Sequence, residues 1–237
     1  MHRLFAALLA LAGLLAPSVQ AGPWARAPGE VFLSYSHNLA TTADALAAGD
    51  MRMEAFSSLY GEVGLGRRLT LGLDLGRGTY TDEALIFLRR TLTRPDATWQ
   101  VALDFGLGQR RVEGLDDSRL ARAGLSVGRG FGAEALDWSP GGMAGGWIGL
   151  EAVAIRDLTR DTQRWKVEAT LGLRRSDRLS VMLQLMAEDW PGNDISYGIN
   201  PSVVFGIRDG TSLELGARTS FEENPRFGLE LGLWHQF

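Results

Sequence analysis

The chain contains no cysteine, one lysine at position 166 and only 8 prolines in 237 residues. Without cysteine it has no disulfide, no thiolate nucleophile and no cysteine-based metal or redox centre. An excess of basic charge is missing too: the formal net charge is −4, which gives no reason to expect nucleic acid as a partner. Beyond the N-terminus no apolar run approaches the about 20 residues that a membrane-crossing helix needs. Metal-ligand spacings, a phosphate-binding loop and a dinucleotide fingerprint are all lacking, so no metal or cofactor is expected. One hydrolase-like pattern occurs, Gly124-Leu125-Ser126-Val127-Gly128. It sits inside an alternating stretch where glycine is common, without the sharp strand-to-helix turn such a nucleophile requires.

What is present begins with an export signal. His2 and Arg3 precede an apolar run over 4–16, followed by Pro17, Ser18, Val19, Gln20 and Ala21. The run is too short to span a bilayer, and Val19-Gln20-Ala21 fits a small-x-small cleavage site. The expected organisation is a signal peptide over 1–21 and one domain over 22–237. Hydrophobic residues make up 45% of the chain and the mean hydropathy is −0.04. Such values suit a soluble protein, and equally a membrane barrel whose apolar outer face and polar inner face average out. Glycine is abundant, with 30 residues, and it falls inside the patterned stretches rather than in a linker.

From residue 29 onward the chain reads as about twelve segments of alternating apolar and polar residues divided by turn signals, the period of a strand with two unlike faces. The expected strands cover 30–37, 52–65, 68–79, 83–92, 99–108, 119–129, 146–155, 164–174, 178–188, 196–207, 212–221 and 226–237, with a short helix near 43–48. The cleanest places Leu69, Leu71, Leu73 and Leu75 on one side and Thr70, Gly72, Asp74 and Gly76 on the other. Tight turns at Gly66-Arg67, Arg94-Pro95-Asp96, Ser176-Asp177 and Arg208-Asp209-Gly210 alternate with longer, charged connections. The stretch 130–145 breaks this rule. It is either a long feature on the short-turn side or a sign that one hairpin is miscounted. A soluble sandwich would also show short alternating strands, but its outward faces would be rich in lysine and threonine, where this chain mixes glycine with arginine and glutamate. The fold class expected is therefore all-β, a transmembrane antiparallel up-and-down barrel of 10 to 12 strands.

The last strand, Arg-Phe-Gly-Leu-Glu-Leu-Gly-Leu-Trp-His-Gln-Phe, runs to the final residue. It resembles the closing strand of Gram-negative outer-membrane β-barrel proteins, whose assembly machinery reads a terminal aromatic preceded by a polar-x-Gly pattern. Here those positions are Glu230, Gly232 and Phe237; His235 departs from the aromatic or aliphatic residue usual in that family. The resemblance implies residence in the bacterial outer membrane, with outer-membrane lipid and the barrel assembly machinery as partners. In plan the chain is similar to small transporter-like or porin-like barrels.

If the leucine face meets lipid, the other lines a lumen. It would carry Glu54, Glu62, Arg68, Asp74, Arg89, Gln100, Asp104, Arg110, Arg122, Glu151, Arg164, Lys166, Glu168, Arg174, Arg178, Gln184, Glu188, Glu214, Arg218, Arg226 and Glu230. Charges in a narrow interior must be paired or wet, so the lumen is either an Arg/Glu network acting as a core or a charged aqueous passage. The inward glycines lower side-chain volume and favour space over a plug. The expected function is a small channel or transporter-like barrel for a small solute, and an arginine-lined waist would favour an anionic one. The alternatives are a structural barrel with a plugged interior, or a lipid hydrolase using His37 beside Ser34, Ser36 and Asn38. A histidine next to Tyr35 is more simply part of an interfacial girdle, so no enzymatic activity is expected.

Overall fold

The structure, a computed structural model, describes residues 22–50, 52–136, 142–192 and 194–237. The expected signal peptide, Trp138-Ser139-Pro140 and Asn193 lie outside the described residues. The strands are β1 (Val31–Thr42), β2 (Glu54–Gly66), β3 (Leu69–Arg77), β4 (Thr81–Thr91), β5 (Gln100–Val112), β6 (Ser118–Gly132), β7 (Gly145–Asp157), β8 (Thr162–Ser176), β9 (Leu179–Asp189), β10 (Ser196–Arg208), β11 (Thr211–Ser220) and β12 (Arg226–Gln236). A short helix α1 (Ala43–Ala47) follows β1, and a single 3-10 turn (Ala133–Leu136) follows β6.

Each strand pairs antiparallel with its sequence neighbours, and β1 pairs with β12, so the sheet closes into a twelve-stranded barrel. Strand lengths run from 9 residues in β3 to 15 in β6 and β8, enough for tilted strands to cross hydrocarbon. Closure extends to the last residue: Val31 N–H donates to the Phe237 carbonyl at 2.8 Å, and Phe237 N–H to the Val31 carbonyl at 3.0 Å. An even strand count puts the start of β1 and the end of β12 at one end, called here the terminal end; the opposite one is the loop end.

Register carries the two faces around the barrel without a break. Leu71 opposes Leu88, Leu103 opposes Leu125, Leu171 opposes Leu183 and Leu215 opposes Leu231, all outward. Phe105 is 65% exposed and Leu229 68%. An apolar surface of this extent, continuous around a closed barrel, suits hydrocarbon rather than water.

Three of the terminal-end hairpins carry a register shift, at Gly64/Gly66, Arg174/Ser176 and Gly206/Arg208. In the first, Gly66, Arg67 and Arg68 all have positive φ, at 84°, 52° and 64°. Two of these are non-glycine residues in a region most L-residues avoid, and the Arg68 side chain anchors the turn to its neighbour by donating to the Leu92 and Thr93 carbonyls at 2.9 and 2.7 Å.

The connection between β6 and β7 lies at the terminal end and is long, and β6 pairs directly with β7 from Gly132 opposite Gly145, so the alternation of ends holds across it. Connection lengths do not alternate strictly, because β3 and β4 are joined at the loop end by residues 78–80 alone. β1 extends beyond residue 37 to Thr42: Asn38 and Ala40 pair with Phe56 and Glu54 near the loop end, where neither face is strongly apolar and alternation fades from the sequence.

Candidate functional site: the barrel interior

The inward positions of β2 to β7 form a packed network. Glu62 is 3% exposed and accepts from Arg26 Nε at 2.8 Å, Arg89 Nη1 at 2.5 Å and the Tyr60 hydroxyl at 2.5 Å. Arg122 donates through Nε to Asp104 at 2.8 Å and through Nη2 to Glu151 at 3.0 Å, with Asp74 3.8 Å away. Arg89 lies 3.8 Å from Asp104 and 3.7 Å from Glu151. Between the two guanidiniums stands Phe87, its ring centroid 5.2 Å from Arg89 and 4.7 Å from Arg122. The planar forks suit carboxylates on one side and a ring face on the other, and each charge so buried has a partner.

Nearer the loop end, Glu83 takes Arg110 Nε at 2.8 Å and Arg164 Nη2 at 2.5 Å, and both arginines stack on Trp190. Glu83 belongs to β4 and Arg164 to β8, strands that are not neighbours, so this pair is a chord across the lumen. Arg89 of β4 to Glu151 of β7 and Arg122 of β6 to Asp74 of β3 are further chords. An apolar group, Leu85, Leu120, Val153 and Ile155, fills the same side.

Several inward glycines here are filled by neighbouring side chains, whereas at Gly130 and Gly149 the nearest atom to an added Cβ is 4.0 Å away. A Cβ at Gly72 would lie 2.0 Å from the Phe87 ring, one at Gly124 2.4 Å from Asp104 Oδ2, and one at Gly172 2.2 Å from Trp147. The expectation that inward glycines widen the lumen is thus corrected at Gly72, Gly124 and Gly172, each a dent that receives a neighbour's side chain, but not at Gly130 and Gly149.

A second filling element comes from residues 22–30, to which the sequence reading gave no role. This strap enters the terminal end. The Gly22 carbonyl accepts from Arg89 at 2.9 Å and the Pro23 carbonyl from the Thr91 hydroxyl at 2.8 Å, while Arg26 reaches Glu62. Gly64 is required by close approach, since a Cβ there would sit 2.0 Å from the Ala27 carbonyl oxygen; one at Gly128 would sit 2.6 Å from the Trp24 ring.

The wall of β8 to β12 is different. Its polar groups bond along the wall: Lys166 to Glu168 at 3.0 Å, Gln184 Nε2 to Glu168 at 2.9 Å, and Asn200 Nδ2 to both Gln184 and Glu230 at 3.0 Å. Apart from the Glu83–Arg164 and Arg226–Glu54 contacts at the loop end, no ion pair from β8 to β12 reaches the opposite wall among the described residues.

Of the expected lumen residues, Asp74, Arg89, Asp104, Arg122, Glu151, Arg164, Lys166, Glu168, Glu188, Glu214, Arg218 and Glu230 occupy inward strand positions. Arg68 and Arg178 do not: both lie in terminal-end turns just outside the strands, where alternation no longer assigns a face. Sequence reasoning missed Tyr60 and Phe87, whose aromatic rings at polar-face positions were the available signal, and Trp190, in the connection after β9, which gave none.

His37 points outward with Tyr35 and Leu39. Ser34, Ser36 and Asn38 face inward, so the expected neighbours are replaced by Ser57 of β2, whose hydroxyl lies 2.9 Å from His37 Nδ1. No carboxylate completes this pair among the described residues. Ser126, in the hydrolase-like pattern, sits 1% exposed within straight strand β6.

No protein-family model matches the chain, and no curated protein is similar to it in sequence. Solved structures do match. The NanC porin superposes with a TM-score of 0.60 at 6% identity, covering 86% of this chain and 100% of that one. The KdgM porin gives 0.58 at 7%, covering 86% and 99%. The fold is that of a porin-type β-barrel. The β domain of the Bordetella autotransporter BrkA matches as well, with a TM-score of 0.51 at 13% identity, covering 89% and 100%. The porin-type barrel agrees with the apolar outer belt.

Proposed function

We propose that the barrel conducts small polar solutes across the outer membrane, along the wall of β8 to β12, with the strap 22–30 narrowing the terminal end. The observation that carries this reading is the uneven interior: ion-pair chords and large side chains close the β2 to β7 side, while the other wall keeps its polar groups to itself. A KdgM porin has been solved in complex with disordered oligogalacturonate, which favours a similar task for a barrel of the same plan. It does not favour the same charge of solute. The arginines that would attract an anion here, Arg89, Arg110, Arg122 and Arg164, are committed to carboxylates.

The conduit reading is tested by refolding the full chain into a planar bilayer and recording single-channel currents. Discrete steps are expected; a folded barrel that stays silent would remove the proposal. An acyl hydrolase built on His37 and Ser57 is not favoured, because the imidazole lacks an orienting acid. His37→Ala should leave outer-membrane lipid composition unchanged, and altered acyl content would reopen that alternative.

A further inference from the structure

The stretch of wall where β10, β11 and β12 meet carries carboxylates with no cation beside them. Glu62, Glu83, Asp104 and Glu151 are each held by an arginine. Glu214 is 4% exposed yet it and Glu230 make no ion pair with a described residue. Two buried acceptor atoms there have no hydrogen-bond partner, Oε1 of Glu214 and Oδ1 of Asn200, which is 2% exposed; the Ser202 hydroxyl and the Trp234 indole N–H face the Glu214 carboxylate as donors. The Asn200 amide nitrogen is already committed to Gln184 and Glu230, at 3.0 Å each.

Glycine shapes the place. A Cβ at Gly216 would lie 3.0 Å from Asn200 Oδ1, and one at Gly232 would lie 3.0 Å from Glu214 Oε2. The two side chains therefore lie flat over glycine, so the wall presents acceptors and negative charge without a protruding residue. Buried acceptors are nearly always matched by donors, and buried carboxylates by cations. A water could satisfy the amide or the hydroxyl, but it would not neutralise two carboxylates. The nearest cations on this wall are engaged elsewhere: Lys166 is held by Glu168, Arg218, nearer the loop end, points at the Met186 sulfur, and Arg208 at the terminal end donates to the Thr211 hydroxyl.

We infer that Glu214, Glu230, Asn200 and Ser202 form a recognition subsite for a small organic cation carrying N–H donors, a primary ammonium or a guanidinium. The inference rests on the channel reading and names its solute class. N–H groups would satisfy the open Glu214 and Asn200 oxygens while the positive charge offsets the carboxylates.

The test uses the refolded full chain in detergent, with methylammonium as the probe and tetramethylammonium, which has the charge but no N–H donor, as its control. Saturation-transfer NMR is expected to show saturable binding of methylammonium and at least about tenfold weaker binding of the control. Glu214→Gln with Glu230→Gln should abolish the difference while the gel mobility shift of the folded barrel is kept. Equal binding of the two probes, or unchanged binding in the double variant, would overturn the subsite. In bilayers the wild-type barrel should prefer cations in a KCl gradient, and the double variant should lose most of that preference. A silent barrel that still binds methylammonium would defeat the channel reading and spare the subsite; a conducting barrel without cation preference would do the reverse.

Discussion

At the scale of single residues, the interior shows how a charge can be buried without becoming a liability. Arg89 is 2% exposed and draws on Glu62, the Gly22 carbonyl and the Phe87 face at once. Stripping one partner from such a set leaves the others charged and dry, so Arg89→Ala is expected to destabilise the folded barrel by about 3–5 kcal/mol. The exposed pair Arg111–Asp117 gives the comparison, and Arg111→Ala should leave the unfolding midpoint nearly unchanged. Urea unfolding of both variants in one detergent measures the contrast; similar midpoints would mean that Arg89 is solvated after all. Which residues face inward was legible from alternation alone, since polar and apolar positions keep the strand period through Arg89, Asp104 and Glu230. Which of them touch was not legible, because chords such as Glu83 to Arg164 join strands 81 residues apart and depend on barrel curvature.

At the scale of elements, the twelve strands could be read because each carries its own two-faced pattern, and their boundaries moved only where the pattern weakened near water. The strap 22–30 could not. It has no period, and its contacts are backbone carbonyls whose partners, Arg89 and Thr91, lie more than sixty residues away. Replacing residues 23–26 by Gly-Ser-Gly-Ser would remove the buried Pro23, Trp24 and the Arg26–Glu62 ion pair while keeping the backbone length. The expected result is a larger single-channel conductance from a barrel that still folds; an unchanged conductance would show that the strap does not narrow the path. The last strand, by contrast, was legible from its alternation. Phe237 completes the hydrogen bonds to Val31 and leaves its ring 63% exposed, a position suited to recognition by assembly machinery. Deleting it should sharply lower outer-membrane levels of the protein, and normal levels would argue against Phe237 as an assembly handle.

At the scale of the whole molecule, two kinds of interior share one cylinder. Twelve strands give a diameter between that of small filled barrels and that of open porins, so side chains decide what remains open. On the β2 to β7 side they close it, with Phe87, Leu85, Leu120 and the Arg89 and Arg122 network in contact with the strap. On the β8 to β12 side the polar ladder from Lys166 to Glu230 lies along the wall. Absence of cysteine makes this asymmetry measurable, because any introduced thiol is the only one in the chain. Gln184→Cys on β9 and Ser126→Cys on β6 both place a thiol inside the barrel; Gln184 is half-buried whereas Ser126 is 1% exposed. A charged, membrane-impermeant thiol reagent added to the folded protein should modify position 184 readily and position 126 slowly, with unfolding in urea restoring equal reactivity. Comparable rates in the folded state would mean that water reaches both walls alike, and the passage would then have to be placed along the barrel axis rather than beside the β8 to β12 wall.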